Sequence, residues 1–524
     1  MNLSIVRTRS FWQIEPFEGV SVAKIVIMTA ALLSLFVDQS FGAMYGAIQN
    51  EVGGTLGASA DELPWTTIGY NTFYWVVIIL TPWLIDRFSR RIVFGAGHLA
   101  FGLLTIYLAT ATWLDGFVFA RCIEGVAQGT FFVCSVMTVL TLFPPKLRAI
   151  AFSVFGVTSL SGAASGAFIG GWFLDHAFWR DALLAYALTA IVVGFVIWRL
   201  LEAPAGKGEA RFDIPGITFA LVAFFSYQYV AAFGERHDWL SSPDIVLAIL
   251  FASLGFGLFI WRELCDDRCG FTQLRLFNIR NLSVASLLGF GLGVPLLGAN
   301  LFVQYAQTIL GFPPSTAGAL LALRVPAIIL VAPVVVSLVV ANKINLKIPI
   351  VIGFVLVPVS YAMLAVLTTS GSDFVTFVVA FVLSGVGFAC LFTPIANLLV
   401  RSLPEDVRAE GVAIFKLVLL LGGSIATTAL GVVYDHSLAK FTSLLAGEAT
   451  LRHFMQAGVT HPTAGMLALV AQQAAVLAFA NSSSVVSLVS MLNLPLIALL
   501  QRSSTPSPAP NPIVRDGMGA IRHE

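Results

Sequence analysis

Long apolar stretches, each closed by a short polar break, follow one another along the chain. A helix that crosses a bilayer needs about 20 mainly apolar residues, and fourteen stretches qualify. Six lie at 24–48, 66–85, 92–113, 116–143, 149–174 and 182–201, and two follow at 214–233 and 244–261. Six more lie at 282–310, 316–340, 348–368, 374–400, 411–434 and 464–500. The last stretch is long enough that thirteen or fifteen crossings also fit the pattern.

The breaks group these stretches. Segment 202–213 carries Pro204, Gly206 and Gly208, and segment 262–281 is charged. Only two stretches lie between them. The pattern therefore predicts an all-α integral membrane fold: two six-helix bundles with an inserted helix pair. The expected units are an N-terminal segment at 1–23, a bundle at 24–201, linkers and inserted pair at 202–281, a second bundle at 282–500 and a tail at 501–524. Ser, Pro and Ala dominate residues 503–512, which predicts a disordered tail.

Composition agrees with the pattern. Of 524 residues, 58% are hydrophobic and 11% charged, against roughly 25% charged in soluble domains. That excludes a globular enzyme. The net charge of +1 points to no particular partner, and no nucleic-acid partner is expected. Cys122, Cys134 and Cys390 sit in apolar runs as small core residues, while Cys265 and Cys269 flank a polar loop with no second ligand pair nearby. His436, His453 and His461 are spread along one long loop and read as solvated. No metal site and no disulfide framework are expected. The first stretch follows Arg7 and Arg9 without a small-residue cleavage site and reads as an uncleaved span.

The distribution of charge gives direction. If the N-terminus is cytoplasmic, the outside loops hold only Arg180, Arg236, Lys440 and Arg452 of the 29 Lys and Arg. Arg121, Arg324 and Lys416 lie within spans, and the rest fall inside, as cytoplasmic loops require. Both termini are then expected on the cytoplasmic side of the cell's inner membrane.

Ionisable residues within spans are costly and mark function by default. Asp38 lies about 21 Å along the first span by helix rise, too deep to reach the surface. It can hold a proton or a cation, or be a structural acid paired to a base. Arg121 and Glu124, three apart, share a face of the fourth span and suit an internal pair. Arg324, just before Pro326, is a cavity candidate, and Lys416, near a helix start, suits snorkelling. Gly162, Gly166 and Gly170 recur every four residues and Gly171 follows, a stripe that allows close helix packing. Contact with a neighbouring helix across the bundle interface is expected.

Several stretches carry a resemblance. Residues 82–91 read P-W-L-I-D-R-F-S-R-R, which resembles the signature loop G-x-L-A-D-R-x-G-R-R of the major facilitator superfamily, with Pro82 and Ser89 in place of its glycines. Arg90 and Arg91 are expected to meet the anionic inner leaflet. The resemblance implies that Asp86 and Arg87, in this conformational switch, join a charge network holding the bundles together. Arg121-x-x-Glu124-Gly125 resembles the fourth-span motif, whose arginine is linked to proton transfer. The glycine stripe resembles the fifth-span antiporter motif, with Ala167 in place of proline. Asp38 matches a first-span acid, although Gln39, Ser40 and Phe41 replace the usual residues after it. Tyr70 fits the start of the second span and Gln473 the last span, where Asn481 replaces a common aspartate. Together these resemble the fourteen-span drug:proton antiporters of EmrB/QacA type.

The resemblance implies proton-coupled export of amphipathic drugs, cationic or aromatic, by alternating access. The proton gradient supplies the energy, with no cofactor. Asp38, Arg121 and Glu124 are expected to couple protons, and Arg324, Tyr70 and Gln473 to line the substrate cavity. A periplasmic adaptor and an outer-membrane channel are implied as partners. Two alternatives stay open: export of one endogenous metabolite or siderophore, and a non-transporting sensor or assembly subunit.

Overall fold

The computed structural model describes residues 21–143, 148–202, 212–265, 274–341, 343–448 and 464–500. The expected N-terminal segment (apart from its last three residues) and tail, and Lys146, Cys269, His453 and His461, lie outside the described residues. Among the described residues, fourteen helices are long and apolar enough to cross a membrane. The last stretch is one crossing, helix Ala464–Met491, capped by a 3-10 turn at Pro495–Leu499. We number the crossings as spans 1 to 14, span 1 being Val22–Leu56, span 3 Arg90–Thr110, span 6 Trp179–Leu200, span 9 Arg280–Thr308 and span 11 Lys347–Leu367, and call the face where span 1 begins proximal and the other distal.

Spans 1 to 6 pack among themselves, as do spans 9 to 14. The bundles meet where span 5 (Ser153–His176) touches spans 10 (Pro314–Val339) and 12 (Phe374–Ser402), and where span 13 (Glu405–Gly447) touches spans 2 (Trp65–Phe88) and 4 (Leu114–Leu142). Span 13 outruns its apolar stretch: its helix continues to Glu448. The polar residues after Tyr434 end the hydropathy signal, but Leu, Ala and Lys continue to favour helix.

The inserted pair is spans 7 (Ile214–Phe233) and 8 (Pro243–Cys265). Span 7 packs against span 2 and also reaches span 13. Tyr227 stacks on Trp75 of span 2, with ring centroids 5.9 Å apart, and donates to the Ser424 hydroxyl of span 13 at 3.1 Å. Just beyond span 7, Arg236 pairs with Asp61 at 3.0 Å and Glu235 with His436 at 3.0 Å. His436 is therefore tied to the inserted pair. The pair touches both bundles through these contacts.

The glycine stripe divides its work. A Cβ on Gly162, Gly166 or Gly170 would press on the backbone oxygens of Phe36, Ser40 and Met44 in span 1 (Val22–Leu56), at 2.9, 2.3 and 2.6 Å. Those three glycines pack within one bundle, not across the interface as the sequence suggested. A helix turns about 100° per residue, so Gly171 faces elsewhere. Its Cβ would lie 2.3 Å from the Pro314 oxygen of span 10. Gly318 of span 10 returns the contact against Ala167 and Phe168, and Asp175 accepts from the Ser315 amide at 2.9 Å. Ala167, where the motif has proline, thus sits at the distal seam between the bundles.

Candidate functional site

Two spans are broken beside the bundle interface. Span 4 divides at Gly129 and Thr130, between helices Leu114–Gln128 and Phe131–Leu142. A Cβ on Gly129 would meet Val77 at 2.7 Å and the Tyr74 oxygen at 2.9 Å, so span 2 approaches there only because no side chain intervenes. Span 10 divides at Leu323, and its second helix, Arg324–Val340, begins with the arginine. Between the bundles lies a cavity of about 290 Å³ lined by Asp38, Gln39, Tyr70, Tyr74 and Trp75 from one bundle. Leu296, Asn300, Leu321, Arg324, Lys416 and Ser424 line it from the other.

At this cavity Asp38 and Lys416 form an ion pair across the two bundles. Nζ of Lys416 lies 3.3 Å from Oδ2 of Asp38, and both side chains are nearly closed to water, at 3% and 0% exposure. The Tyr74 hydroxyl donates to the other carboxylate oxygen at 2.9 Å. Lys416 also donates to Oε1 of Gln39 at 2.7 Å, and the Gln39 amide donates to Ser159 at 2.5 Å. Lys416 does not snorkel, because span 13 turns it inward. The residues after Asp38 that depart from the family pattern are in use. Gln39 holds Lys416, Ser40 accepts from Tyr186 at 2.8 Å, and Phe41 lies 5.5 Å from the Arg121 guanidinium.

A second pair lies deeper in the first bundle. Arg121 donates to Glu124, and both are fully buried. Thr105 donates to the other Glu124 oxygen at 2.6 Å, and Arg121 lies 4.0 Å from the rings of Tyr45 and Tyr70. The two pairs are connected. Tyr70 donates to Gln128 at 2.8 Å, and Gln128 donates to the Asp38 backbone oxygen at 3.3 Å. Only Tyr70 of this group reaches the cavity wall alongside Asp38. Asp38, Arg121 and Glu124 thus belong to one polar chain, but only Asp38 faces the cavity.

Arg324 lines the cavity as expected. Gln473 does not: it is exposed and donates to Ser370 at 2.9 Å, in the loop between spans 11 and 12. Its place at the start of span 14 carries it away from the midplane. The switch residues sit at the proximal end of span 2. Arg90 turns inward and donates to the Met137 oxygen at 2.8 Å, while Arg91 donates to the Trp198 oxygen at 2.7 Å. Arg90 therefore ties span 3 to span 4 instead of meeting lipid. Asp86 lies within electrostatic range of Glu410 on span 13, and Arg87 makes its own polar contact. Ser89, in the glycine position of the loop, has φ 83° and ψ 147°, a backbone that favours glycine.

Proximal to Lys416 the interface is aromatic. Phe132 and Phe155 lie 5.7 Å apart and Phe155 and Phe392 6.4 Å apart. With Phe415 and Val412 they leave almost no free volume. The Lys416 ammonium rests 4.5 Å from the Phe132 ring. The ion pair thus lies between this apolar plug and the cavity. Sequence reasoning read Lys416 as snorkelling, noted Gln39 only as a departure from the motif, and gave no role to Tyr74 and Gln128. The available signal was that Asp38 and Lys416 are each intramembrane charges without a local partner of opposite sign.

Two helical bundles around a central polar cavity, joined by buried charge, define a membrane transporter. The family model of the Major Facilitator Superfamily matches residues 27–427, and the chain belongs to that superfamily. The chain is 25% identical over 428 residues to multidrug export protein EmrB of Escherichia coli (strain K12), covering 79% of this chain and 81% of that protein. It is 24% identical over 427 residues to EmrB of Haemophilus influenzae, with 79% and 81% covered. Among solved structures it resembles a bacterial homologue of the human lysosomal transporter Spinster in its inward-facing, unoccupied form. That match has TM-score 0.57 and 12% identity, covering 93% of this chain and all of the other.

Proposed function

We propose that this protein is a proton-coupled exporter of amphipathic, aromatic small molecules that works by alternating access. The single observation that carries the reading is the Asp38–Lys416 pair, which bridges the bundles between cavity and plug. While Asp38 is ionised, its attraction to Lys416 holds the proximal side shut. A proton arriving through the cavity neutralises Asp38, releases Lys416 and lets the proximal side part. Loss of the proton on that side restores the attraction. In such folds the bundles rock about a site near the midplane, and the plug and the span 5–span 10 seam are the two gates. Tyr70, Gln128 and the Arg121–Glu124 pair carry the charge state of Asp38 into the first bundle.

In this reading the proximal face is cytoplasmic, both termini lie there, and the protein resides in the inner membrane of a bacterial cell. The EmrB relatives are named for multidrug export, which supports drugs as substrates. A periplasmic adaptor and an outer-membrane channel would extend the export path. The proton gradient supplies the energy. The test follows accumulation of a fluorescent aromatic dye in everted vesicles, with and without an uncoupler. Uptake that the uncoupler abolishes, and that Asp38→Asn lacks, supports the reading. Uncoupler-sensitive uptake in Asp38→Asn at the wild-type rate refutes it.

A further inference from the structure

We propose that Arg324 makes the cavity selective for anionic amphipaths, small molecules with an aromatic body and one acidic head such as a carboxylate or sulfonate. This rests on the transport reading and specifies its substrate. Among the cavity-lining residues Asp38, Lys416 and Arg324 are the charged groups. Asp38 and Lys416 cancel. Arg324 is 3% exposed and has neutral partners: Nε donates to the Ser384 hydroxyl at 3.0 Å, and Nη2 lies 3.5 Å from the Tyr361 hydroxyl. The rings of Phe381 and Phe388 lie 5.4 and 5.0 Å from its guanidinium. Among the described residues no carboxylate forms an ion pair with it. Tyr361 cannot become more than a neutral acceptor, because its proton is directed to the Pro295 oxygen at 2.5 Å.

A buried arginine without a counter-ion is costly in a membrane, and a guanidinium fork is shaped for carboxylate-like groups. The surrounding wall suits the rest of such a molecule: Leu296, Leu297 and Leu321 offer apolar surface and Trp75 a flat ring. A monoanion on Arg324 brings the cavity to neutrality while Asp38 is ionised. A cation adds to the positive charge.

The test uses the full chain, purified in detergent, with two probes that share one ring system: 2-naphthalenesulfonate and 2-naphthyltrimethylammonium. Equilibrium dialysis is expected to show the sulfonate bound about tenfold more tightly or better, the least expected of a charged hydrogen bond. Arg324→Gln is expected to erase that preference by weakening the sulfonate alone, and Arg324→Lys to keep most of it. Ammonium binding equal to or tighter than sulfonate binding in the wild type overturns the proposal, whatever the variants do. So does undiminished sulfonate binding in Arg324→Gln. Reconstituted vesicles separate this from the transport reading. Sulfonate that binds but exchanges for no protons leaves the anion site standing and removes the transporter. Ammonium that exchanges for protons while sulfonate fails to bind does the reverse.

Discussion

Asp38 and Lys416 are each a buried charge that depends on the other. Removing one partner of such a pair strands the other and costs about 3–5 kcal/mol, whereas replacing both with apolar or neutral groups is close to neutral. Lys416→Met is therefore expected to lower the thermal unfolding temperature of the purified protein sharply, and Asp38→Asn with Lys416→Met to recover most of the loss. Equal losses in the single and double variants would mean that the pair contributes little. At Ser89 the backbone stands at φ 83° without being glycine, a strain of about 1–3 kcal/mol. Ser89→Gly is expected to raise the unfolding temperature, and an unchanged value would show that the strain is relieved elsewhere. Asp38 was legible in the sequence, because hydropathy gives depth and a deep acid is exceptional. Its partner was not, because depth says nothing about which way a helix turns its side chains. Lys416 looked superficial along span 13 for that reason, while Gln473 was expected at the cavity only through the family resemblance, and its place near the start of span 14 keeps it away.

At the scale of the helix, span 5 presents glycine on two sides, and the two sides have different consequences. Gly166 faces span 1 inside its own bundle, and Gly171 faces span 10 across the seam. Gly166→Leu is expected to abolish transport while leaving membrane insertion intact, with a lowered unfolding temperature because the bundle itself is forced apart. Gly171→Leu is expected to abolish transport with that temperature nearly unchanged, since only the distal gate is wedged open. Faster reagent labelling of a cysteine introduced at Asn300, from the distal side, would mark the open gate in Gly171→Leu. Identical behaviour of the two variants in both measurements would contradict the division. The four-residue spacing was enough to predict close packing. It could not name the partner helix, since any neighbour within the bundle or beyond it accepts a glycine face equally well.

At the scale of the whole molecule, the six-two-six pattern was readable because each span must satisfy its backbone internally and stay apolar on the lipid side. Nothing in that pattern located the inserted pair. Span 7 lies against spans 2 and 13, and its loop holds Asp61 on one bundle and His436 on the other. The cavity was beyond the sequence for the same reason, because nine residues of one bundle and ten of the other define it only after the bundles have packed.

The central claim is that protonation of Asp38 unlocks the two bundles, and proton movement in vesicles tests it most directly. Purified protein is reconstituted with a pH-sensitive dye trapped in the lumen, a pH gradient is imposed, and an aromatic substrate is added. Wild-type protein is expected to show a substrate-dependent, saturable proton flux, and Asp38→Asn to show none while still binding the substrate. A substrate-dependent proton flux of wild-type size in Asp38→Asn would contradict the claim.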